Sequence, residues 1–205
     1  MHHEVLTANS ANIYPLLPKF RGFYLAGGTA LALQLGHRVS VDFDLFSDQE
    51  IPKQLLDTVR RVFRDRTVLP SVNNAEELTV IVDSVKVTFL YYPFPLIDHL
   101  VAINDIQTAS ILEIAAMKAY TIGRRALFKD YIDLYAVLSG NHLTIATLIT
   151  SAQKKYGAEF NDRLFLEQLI ALDDVEAEEI LFLKEKQTLE TTTAYFEEQV
   201  RRITL

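Results

Sequence analysis

Two aspartates separated by one residue form the pattern in this 205-residue sequence that most directly indicates chemistry. Asp42 and Asp44 alternate with Val41, Phe43 and Leu45. That period of two predicts a strand with both carboxylates on one face. Adjacent carboxylates repel each other unless a cation lies between them, and their oxygens suit Mg²⁺ or Mn²⁺, which also take phosphate oxygens. The pair is therefore a candidate metal site, and its alternative interpretation is a solvated strand face.

A glycine pair stands 15 residues before the first of these aspartates. Gly27 and Gly28 follow a short apolar run and open the segment TALALQL, which is rich in helix formers. A backbone without Cβ atoms lets a ligand approach closely, and a helix N-terminus favours an anion. With Thr29, Ser40 and the aspartates, this turn predicts a site for a nucleoside triphosphate. The Gly-Lys-Ser/Thr pattern of a Walker loop is absent from the sequence.

Composition excludes several classes of function. The chain has no cysteine, so a disulfide framework, a cysteine-ligated metal and a thiol nucleophile are ruled out. Its net charge of −7 argues against a non-specific coat of nucleic acid. We find no secretory signal and no apolar run of the ~18 residues that a membrane span needs. The sequence therefore predicts a cytoplasmic protein without a membrane partner.

The predicted secondary structure changes from mixed strands and helices to helices alone near residue 100. In residues 1–100 we expect strands over 22–26 and 41–46, helices over 29–35 and about 52–65, and a hairpin over 77–92 that turns at Asp83-Ser84. Ser47 or Asp48 is the expected cap of the second helix. Helical periodicity then covers 108–122, 129–139, 144–156, 161–171 and 175 to the end. This order predicts an α+β fold in which residues 101–205 form a helical half packed on the first.

The segment GGTALALQLGHRVSVDFDLF, residues 27–46, resembles the first motif of the nucleotidyltransferase AbiEii/AbiGii toxin family. That family is a branch of the polymerase-β-like nucleotidyltransferase superfamily. The runs MKAYTIGRR (117–125) and KDYIDL (129–134) are similar to its later motifs. The resemblance implies a polymerase-β-like core, a mixed sheet with flanking helices. It also implies metal-dependent transfer of a nucleoside monophosphate from an NTP to an acceptor hydroxyl, by the toxin of a toxin–antitoxin or phage-defence pair.

The resemblance also implies roles for the residues of the first motif. Gly27, Gly28 and Thr29 would hold the triphosphate, and Asp42 and Asp44 would ligate Mg²⁺ or Mn²⁺. Two metal ions commonly stabilise the attacking and leaving oxygens in such sites during in-line displacement.

The later motifs supply the remaining candidates. The resemblance implies that Lys118 contacts phosphates and that Asp130 and Asp133 are the polar residues of the last motif. Lys118 and Arg125 are seven residues apart, so on one helix they would point together at a phosphate chain, although a solvated face is the alternative. Asp130 also suits a first helical turn, and Asp133 could instead pair with Lys129.

The loop between the two parts of the first motif carries three further polar residues. Arg38 could anchor this loop through carboxylates or carbonyls, and Ser40 could hydrogen-bond the glycine turn. We expect a structural role for His37.

One position departs from the superfamily pattern. Polymerase-β-like enzymes usually carry a third acidic residue on a following strand, and the expected position here holds Thr88. Asp83 lies at the hairpin turn, too far along to reach a metal. Three explanations stay open: two aspartates suffice, an acid such as Asp130 substitutes, or turnover is lost. In the last case the chain is a nucleotidyltransferase-fold binding protein that acts through a protein partner.

The sequence leaves the acceptor open between RNA and protein. Two basic clusters, residues 60–66 and 124–129, could line an RNA path, and solvated helix faces are the alternative. The family resemblance also implies a cognate antitoxin as a partner.

Overall fold

A mixed sheet runs through the part of the chain that this computed structural model describes, residues 1–122, 124–125, 127–173, 175 and 178–203. Within those residues the sheet has seven strands: β1 (Tyr24–Ala26), β2 (Phe43–Ser47), β3 (Val68–Asn73), β4 (Glu77–Val82), β5 (Val85–Tyr91), β6 (Val101–Ile103) and β7 (Ile106–Thr108). Their spatial order is β3-β4-β5-β2-β1-β7-β6. Strand β2 is parallel to β5 and β1 is parallel to β7, whereas the other neighbours are antiparallel.

Helices flank this sheet, and most of them follow it in the chain. The described residues form eight α-helices: α1 (Ala8–Ile13), α2 (Gly27–Leu35), α3 (Leu55–Val62), α4 (Ile111–Ile122), α5 (Phe128–Ser139), α6 (Ile145–Tyr156), α7 (Asp162–Ile170) and α8 (Leu189–Arg201). Helix α4 packs against α2, α5, α6 and α7. The predicted α+β fold class is confirmed. None of the described helices combines the length and apolarity that a membrane crossing requires.

Helix α2 is buried along most of its length. Its residues Thr29 to Leu33 are all buried, and it contacts β1, β2, α4 and α5. A helix that is apolar on all sides belongs inside a protein, and this one carries no charged residue. Its first residue, Gly27, directly follows Ala26, the last residue of β1. Strand and helix together therefore fix the position of the glycine turn.

The predicted hairpin over 77–92 is confirmed as β4 and β5. Asp83 and Ser84 both adopt positive φ, +46° and +73°, as a two-residue hairpin turn that matches strand twist requires. The carboxylate of Asp83 accepts hydrogen bonds from Arg66 Nη1 (2.8 Å) and from the backbone N–H of Thr67 (3.1 Å). Asp83 thus stabilises the turn, as its place in the sequence suggested.

Several elements differ from their predictions. Helix α3 is shorter than 52–65, and its N-cap is Gln54 rather than Ser47 or Asp48. Strand β3 and the β6–β7 hairpin were not predicted because β3 is a mostly exposed edge strand and the other two strands have three residues each. Residues 178–187 contain no helix, although helix was expected from 175 onward. Part of this segment pairs with a distant loop, which no local periodicity can report.

Candidate active site

A cleft of about 250 Å³ opens where the N-terminus of α2, the start of β2 and the beginning of α5 meet. Eight of the residues singled out in the two motifs line it: Gly28, Thr29, Arg38, Ser40, Asp42, Asp44, Lys118 and Arg125. Lining residues that sequence reasoning did not assign to the site include Lys86, Lys129, Glu178 and Glu179. The fold therefore brings together residues from the first motif and from the downstream motifs.

Asp42 and Asp44 face this cleft together. Asp44 lies in β2 and Asp42 immediately precedes the strand, while Phe43 is fully buried between them. Burial raises the pKa of Asp44, and the nearby Asp42 carboxylate raises it further against the opposing charge of Lys86. Lys86 Nζ also lies 3.4 Å from Asp42 Oδ2. The two carboxylates are thus close enough to repel each other, which is the condition under which a divalent cation is favoured.

Each glycine of the turn makes room for a charged side chain of the protein itself. Gly27 has φ +71°, and a Cβ built on it would lie 2.7 Å from Asp44 Oδ2. A Cβ on Gly28 would lie 2.4 Å from Arg38 Nη2. We expected these positions to admit a ligand, but their Cβ space is filled by Asp44 and Arg38. Glycine is required at both positions because a charged side chain lies against the backbone at each of them.

Hydroxyl groups tie the glycine turn to the aspartate loop. Thr29 Oγ1 donates to the backbone carbonyl of Asp42 and lies 2.7 Å from Ser40 Oγ. The expected bond from Ser40 to the glycine backbone is absent among the described contacts, because Ser40 bonds the Thr29 side chain instead. Thr29 and Ser40 together hold Asp42 at the edge of the cleft.

Asp133 is the centre of a buried ionic cluster below the cleft. Arg38 binds it in a bidentate fashion, with Nε at 2.7 Å from Oδ1 and Nη2 at 2.9 Å from Oδ2, and Lys118 Nζ lies 2.7 Å from Oδ2. Burial alone would raise the pKa of Asp133, but Arg38 and Lys118 hold it well below its usual value. The proposed pair with Lys129 is wrong, because Lys129 contacts Glu178 instead.

Asp130 completes the cluster from the first turn of α5. Its carboxylate lies 2.5 Å from Lys118 Nζ and 2.8 Å from Arg125 Nε, and the residue is fully buried. Helix α4 ends at Ile122, so Arg125 does not share a helix face with Lys118 as predicted. The two cations converge because both bind Asp130. Since cations occupy both oxygens of Asp130, it is a poor substitute for a missing metal ligand.

His37 contributes a neutral contact to this cluster. Burial lowers its pKa despite the opposing effect of Asp133, so the ring is uncharged near neutral pH. Its Nε2–H donates to Asp133 Oδ1 at 2.8 Å, and Nδ1 has no hydrogen-bond partner among the described residues. Three cations, Arg38, Lys118 and Arg125, then surround two carboxylates. The cluster itself therefore has one positive charge in excess, and its Arg38 lies against Gly28, which favours an anion at the N-terminus of α2.

A non-helical strap, residues 178–183, forms another wall of the cleft. Its Leu181 carbonyl accepts from the backbone N–H of Val39 at 2.8 Å, and its Leu183 N–H donates to the His37 carbonyl at 3.1 Å. The carboxylate of Glu178 lies 3.2 Å from Lys129 Nζ. The strap therefore fastens the loop of the first motif to the start of α5 and places acidic groups opposite the cations.

The fold around this site is shared with solved proteins, one of which is a nucleotidyltransferase toxin. The crystal structure of JHP933 from Helicobacter pylori superimposes with a TM-score of 0.63 at 17% identity, over 96% of this chain and 92% of that one. MenT4, a nucleotidyltransferase toxin from Mycobacterium tuberculosis H37Rv, gives a TM-score of 0.62 at 16% identity, over 93% and 82% of the two chains. At such low identity these likenesses show the fold.

Sequence similarity shows the family. The model of the family described as nucleotidyl transferase AbiEii toxin, type IV toxin–antitoxin system, matches residues 12–203. An uncharacterized protein of Aquifex aeolicus (strain VF5) is 32% identical over 158 residues, which is 76% of each chain. This chain belongs to the AbiEii nucleotidyltransferase toxin family. The predicted family, the enzyme class and the polymerase-β-like fold are thereby confirmed.

Proposed function

We propose that this chain moves a nucleoside monophosphate from an NTP to an acceptor hydroxyl with the help of Mg²⁺ or Mn²⁺. The observation that supports this proposal is the meeting of Asp42 and Asp44 with the N-terminus of α2 in one cleft. Paired carboxylates suit a divalent cation, and the helix terminus with the excess positive charge beneath it suits a triphosphate.

The donor set fits a metal ion that is shared with the substrate. Among the described residues, no group of three or more His, Cys, Asp or Glu side chains is arranged to hold a metal. Mg²⁺ commonly uses one or two carboxylates and completes its shell with phosphate oxygens and water. Asp42 and Asp44 would hold the ion in this way. When bound, it would neutralise triphosphate charge and stabilise the oxygens that attack and leave the α-phosphorus.

The remaining site residues bind and orient the substrate in this proposal. The backbone N–H groups of Gly28 and Thr29 bind phosphate at the start of α2, beside Gly27, whose lack of a Cβ accommodates Asp44. Lys118 and Arg125 supply positive charge, while Asp130 and Asp133 fix the positions of those cations. Catalysis then depends mostly on positioning and on charge neutralisation as pyrophosphate leaves.

The proposal includes two macromolecules besides the NTP, an acceptor and an antitoxin. The acceptor hydroxyl belongs to an RNA or a protein, and membership of a type IV toxin–antitoxin family supports a cognate antitoxin as a further partner. Arg125 lines the cleft and its neighbour Arg124 is also exposed, so the two offer positive charge to a polyanionic acceptor. Reversing both charges should flatten the salt dependence of binding if RNA is the acceptor.

The test is transfer of label from each α-³²P-labelled NTP to total RNA and to total protein, with Mg²⁺ present. We expect incorporation by the wild type and at least a hundredfold loss in Asp44→Asn. Asp48→Asn is the matched control, because Asp48 is exposed just beyond the same strand and does not line the cleft. Equal incorporation by wild type and Asp44→Asn would contradict the proposal.

Thr88 favours a second candidate function, a nucleotide-binding protein without turnover. The register pairs Thr88 with Asp44 on the adjacent strand, where related enzymes usually carry a third acid. A folded wild type that binds NTP but labels neither RNA nor protein, together with an unchanged cellular phenotype of Asp42→Asn and Asp44→Asn, would support this second function.

A further inference from the structure

One part of the cleft wall is apolar, although most of the other lining residues are charged or polar. Val39 and Val41 come from the loop that leads into β2, and Ile180 and Leu181 come from the strap. Val41 is 50% exposed and Leu181 is 59% exposed. The backbone N–H of Val39 donates to the Leu181 carbonyl at 2.8 Å, so the two segments lie side by side. Solvent therefore reaches a group of apolar side chains inside a site that is otherwise polar.

A metal ion and a triphosphate do not account for this apolar wall. Both bind charged and polar groups, which Asp42, Asp44 and the N-terminus of α2 supply. Apolar surface that lines a cleft commonly contacts the apolar part of a ligand. In an NTP that part is the flat face of the nucleobase. The wall therefore matches the portion of the substrate that the aspartates and the glycine turn leave without a contact.

The strap also brings a free carboxylate to the cleft. Glu178 lies 3.2 Å from Lys129 Nζ, whereas the exposed Glu179 makes no hydrogen bond or ion pair with any residue that the structure describes. A negative charge without a partner opposes the binding of a polyanion, unless the carboxylate contacts a different part of that ligand. An ionised carboxylate only accepts hydrogen bonds, and the exocyclic amino group of a nucleobase is a suitable donor.

We propose that the strap binds the nucleobase of the NTP and selects it. Leu181 and Val41 contact the face of the base, and Glu179 accepts a hydrogen bond from an exocyclic amino group. The inference rests on the proposed function above and adds nucleotide selection to it. Adenine, cytosine and guanine carry such an amino group, whereas both exocyclic groups of uracil are carbonyl oxygens, which a carboxylate repels. Glu179 is thus a specificity-determining residue that disfavours UTP.

The first experiment is titration of CTP and of UTP in the presence of Mg²⁺. These two nucleotides have nearly the same size and differ in the amino or carbonyl group at C4 and in the proton at N3. We expect the wild type to bind CTP about tenfold more tightly than UTP, within the range of one good contact between a side chain and a base. Glu179→Gln should reduce this ratio to less than about threefold, because an amide both donates and accepts hydrogen bonds. Glu185→Gln is the matched control, since Glu185 is exposed and does not line the cleft.

The second experiment separates the base from the phosphates. Leu181→Ala should raise the Kd for CTP and for UTP about fivefold through the loss of apolar contact. Its Kd for inorganic triphosphate, which has no base, should stay unchanged with Mg²⁺ present. The backbone carbonyl that binds Val39 remains in this variant. Leu183→Ala is the matched control, because Leu183 is also exposed on the strap but does not line the cleft.

The outcomes distinguish this inference from the proposed function. Three results would overturn the base site alone while inorganic triphosphate still binds. They are an unchanged ratio of CTP to UTP affinity in Glu179→Gln, a wild type that prefers UTP, and nucleotide affinities of Leu181→Ala equal to those of the wild type. A folded wild type that binds neither an NTP nor inorganic triphosphate would overturn the proposed function as well.

Discussion

The guanidinium of Arg38 occupies the space that a side chain on Gly28 would need. A Cβ on Gly28 would lie 2.4 Å from Arg38 Nη2, and the same guanidinium makes a bidentate contact with Asp133, 95 residues along the chain. The glycine turn is therefore built against the ionic cluster, and α5 supports the loop that leads into the candidate metal ligands.

Gly28→Ala should weaken both the fold and the site. The new methyl group must displace Arg38 from Asp133, and we expect a loss of about 1–3 kcal/mol in the free energy of unfolding, the usual cost of overpacking. Urea denaturation measures this loss, and the Kd for NTP should rise in parallel. Gly22→Ala is the control, because its Cβ would have no atom within 4 Å and only its backbone would be strained. A Gly28→Ala protein with wild-type stability and affinity would be inconsistent with this arrangement.

Among the substitutions that remove a single charge from this chain, Asp133→Asn should be one of the more destabilising. It leaves Arg38 and Lys118 buried with too little negative charge, and breaking a buried ion pair costs about 3–5 kcal/mol. Asp57→Asn serves as control, since Asp57 makes an exposed pair with Arg60 at 3.8 Å and should cost less than about 1 kcal/mol. Equal urea midpoints for the two variants would show that the buried cluster does not stabilise the fold.

Buried His37 predicts a pH dependence of stability. Its folded-state pKa lies below the unfolded value of about 6.5, so on acidification the unfolded chain takes up a proton first. The free energy of unfolding should then fall below about pH 6.5, by up to about 1.4 kcal/mol per pH unit. The lowered pKa of Asp133 reduces the free energy of unfolding only when the pH falls to about 3.8 and below. The raised pKa of Asp44 has the opposite effect, because it increases the free energy of unfolding on acidification.

The variant His37→Gln isolates that contribution. It removes the titrating ring and should flatten the stability curve between pH 7 and pH 5, while the effect of Asp44 stays in both proteins and cancels in the difference. His99→Gln is the control, because His99 is exposed. Identical pH slopes for wild type and His37→Gln would contradict a buried, neutral His37.

The first motif could be predicted because its signals are local. The alternation of apolar and acidic residues predicted that Asp42 and Asp44 lie on the face opposite Phe43. The Gly27-Gly28 pair marked the junction of strand and helix. Nothing in the sequence indicated that Arg38 would fill the Cβ space of Gly28, because that contact depends on how α5 packs against α2.

The remainder of the site depends on long-range contacts. Asp133 pairs with Arg38 rather than with Lys129, which lies only four residues away and offered the simpler helical pair. Glu178 reaches the cleft because the strap pairs with residues 37–39, and helical periodicity cannot reveal such pairing. Lys86 lies in β5, and only the parallel register of β5 with β2 places it beside Asp42.

Glu178→Gln should tighten NTP binding. The carboxylate of Glu178 neutralises Lys129 and adds negative charge to a cleft that must accept a polyanion. The pair is about one-third exposed, so its loss should lower the Kd by no more than about fivefold, within the range of surface ion pairs. Titration of NTP measures the change, and Glu185→Gln, outside the cleft and exposed, should leave the Kd unchanged. A higher Kd in Glu178→Gln would mean that this contact assists binding.

In the proposed reaction Asp42 and Asp44 hold a divalent ion together with a triphosphate at the glycine turn. Isothermal titration of each NTP, with and without Mg²⁺, tests this most directly on the wild type and on a variant carrying Asp42→Asn and Asp44→Asn. We predict Mg²⁺-dependent binding of at least one NTP by the wild type and no Mg²⁺ dependence in the variant. Identical titrations of the two folded proteins, or no binding of any NTP by the wild type, would contradict the claim.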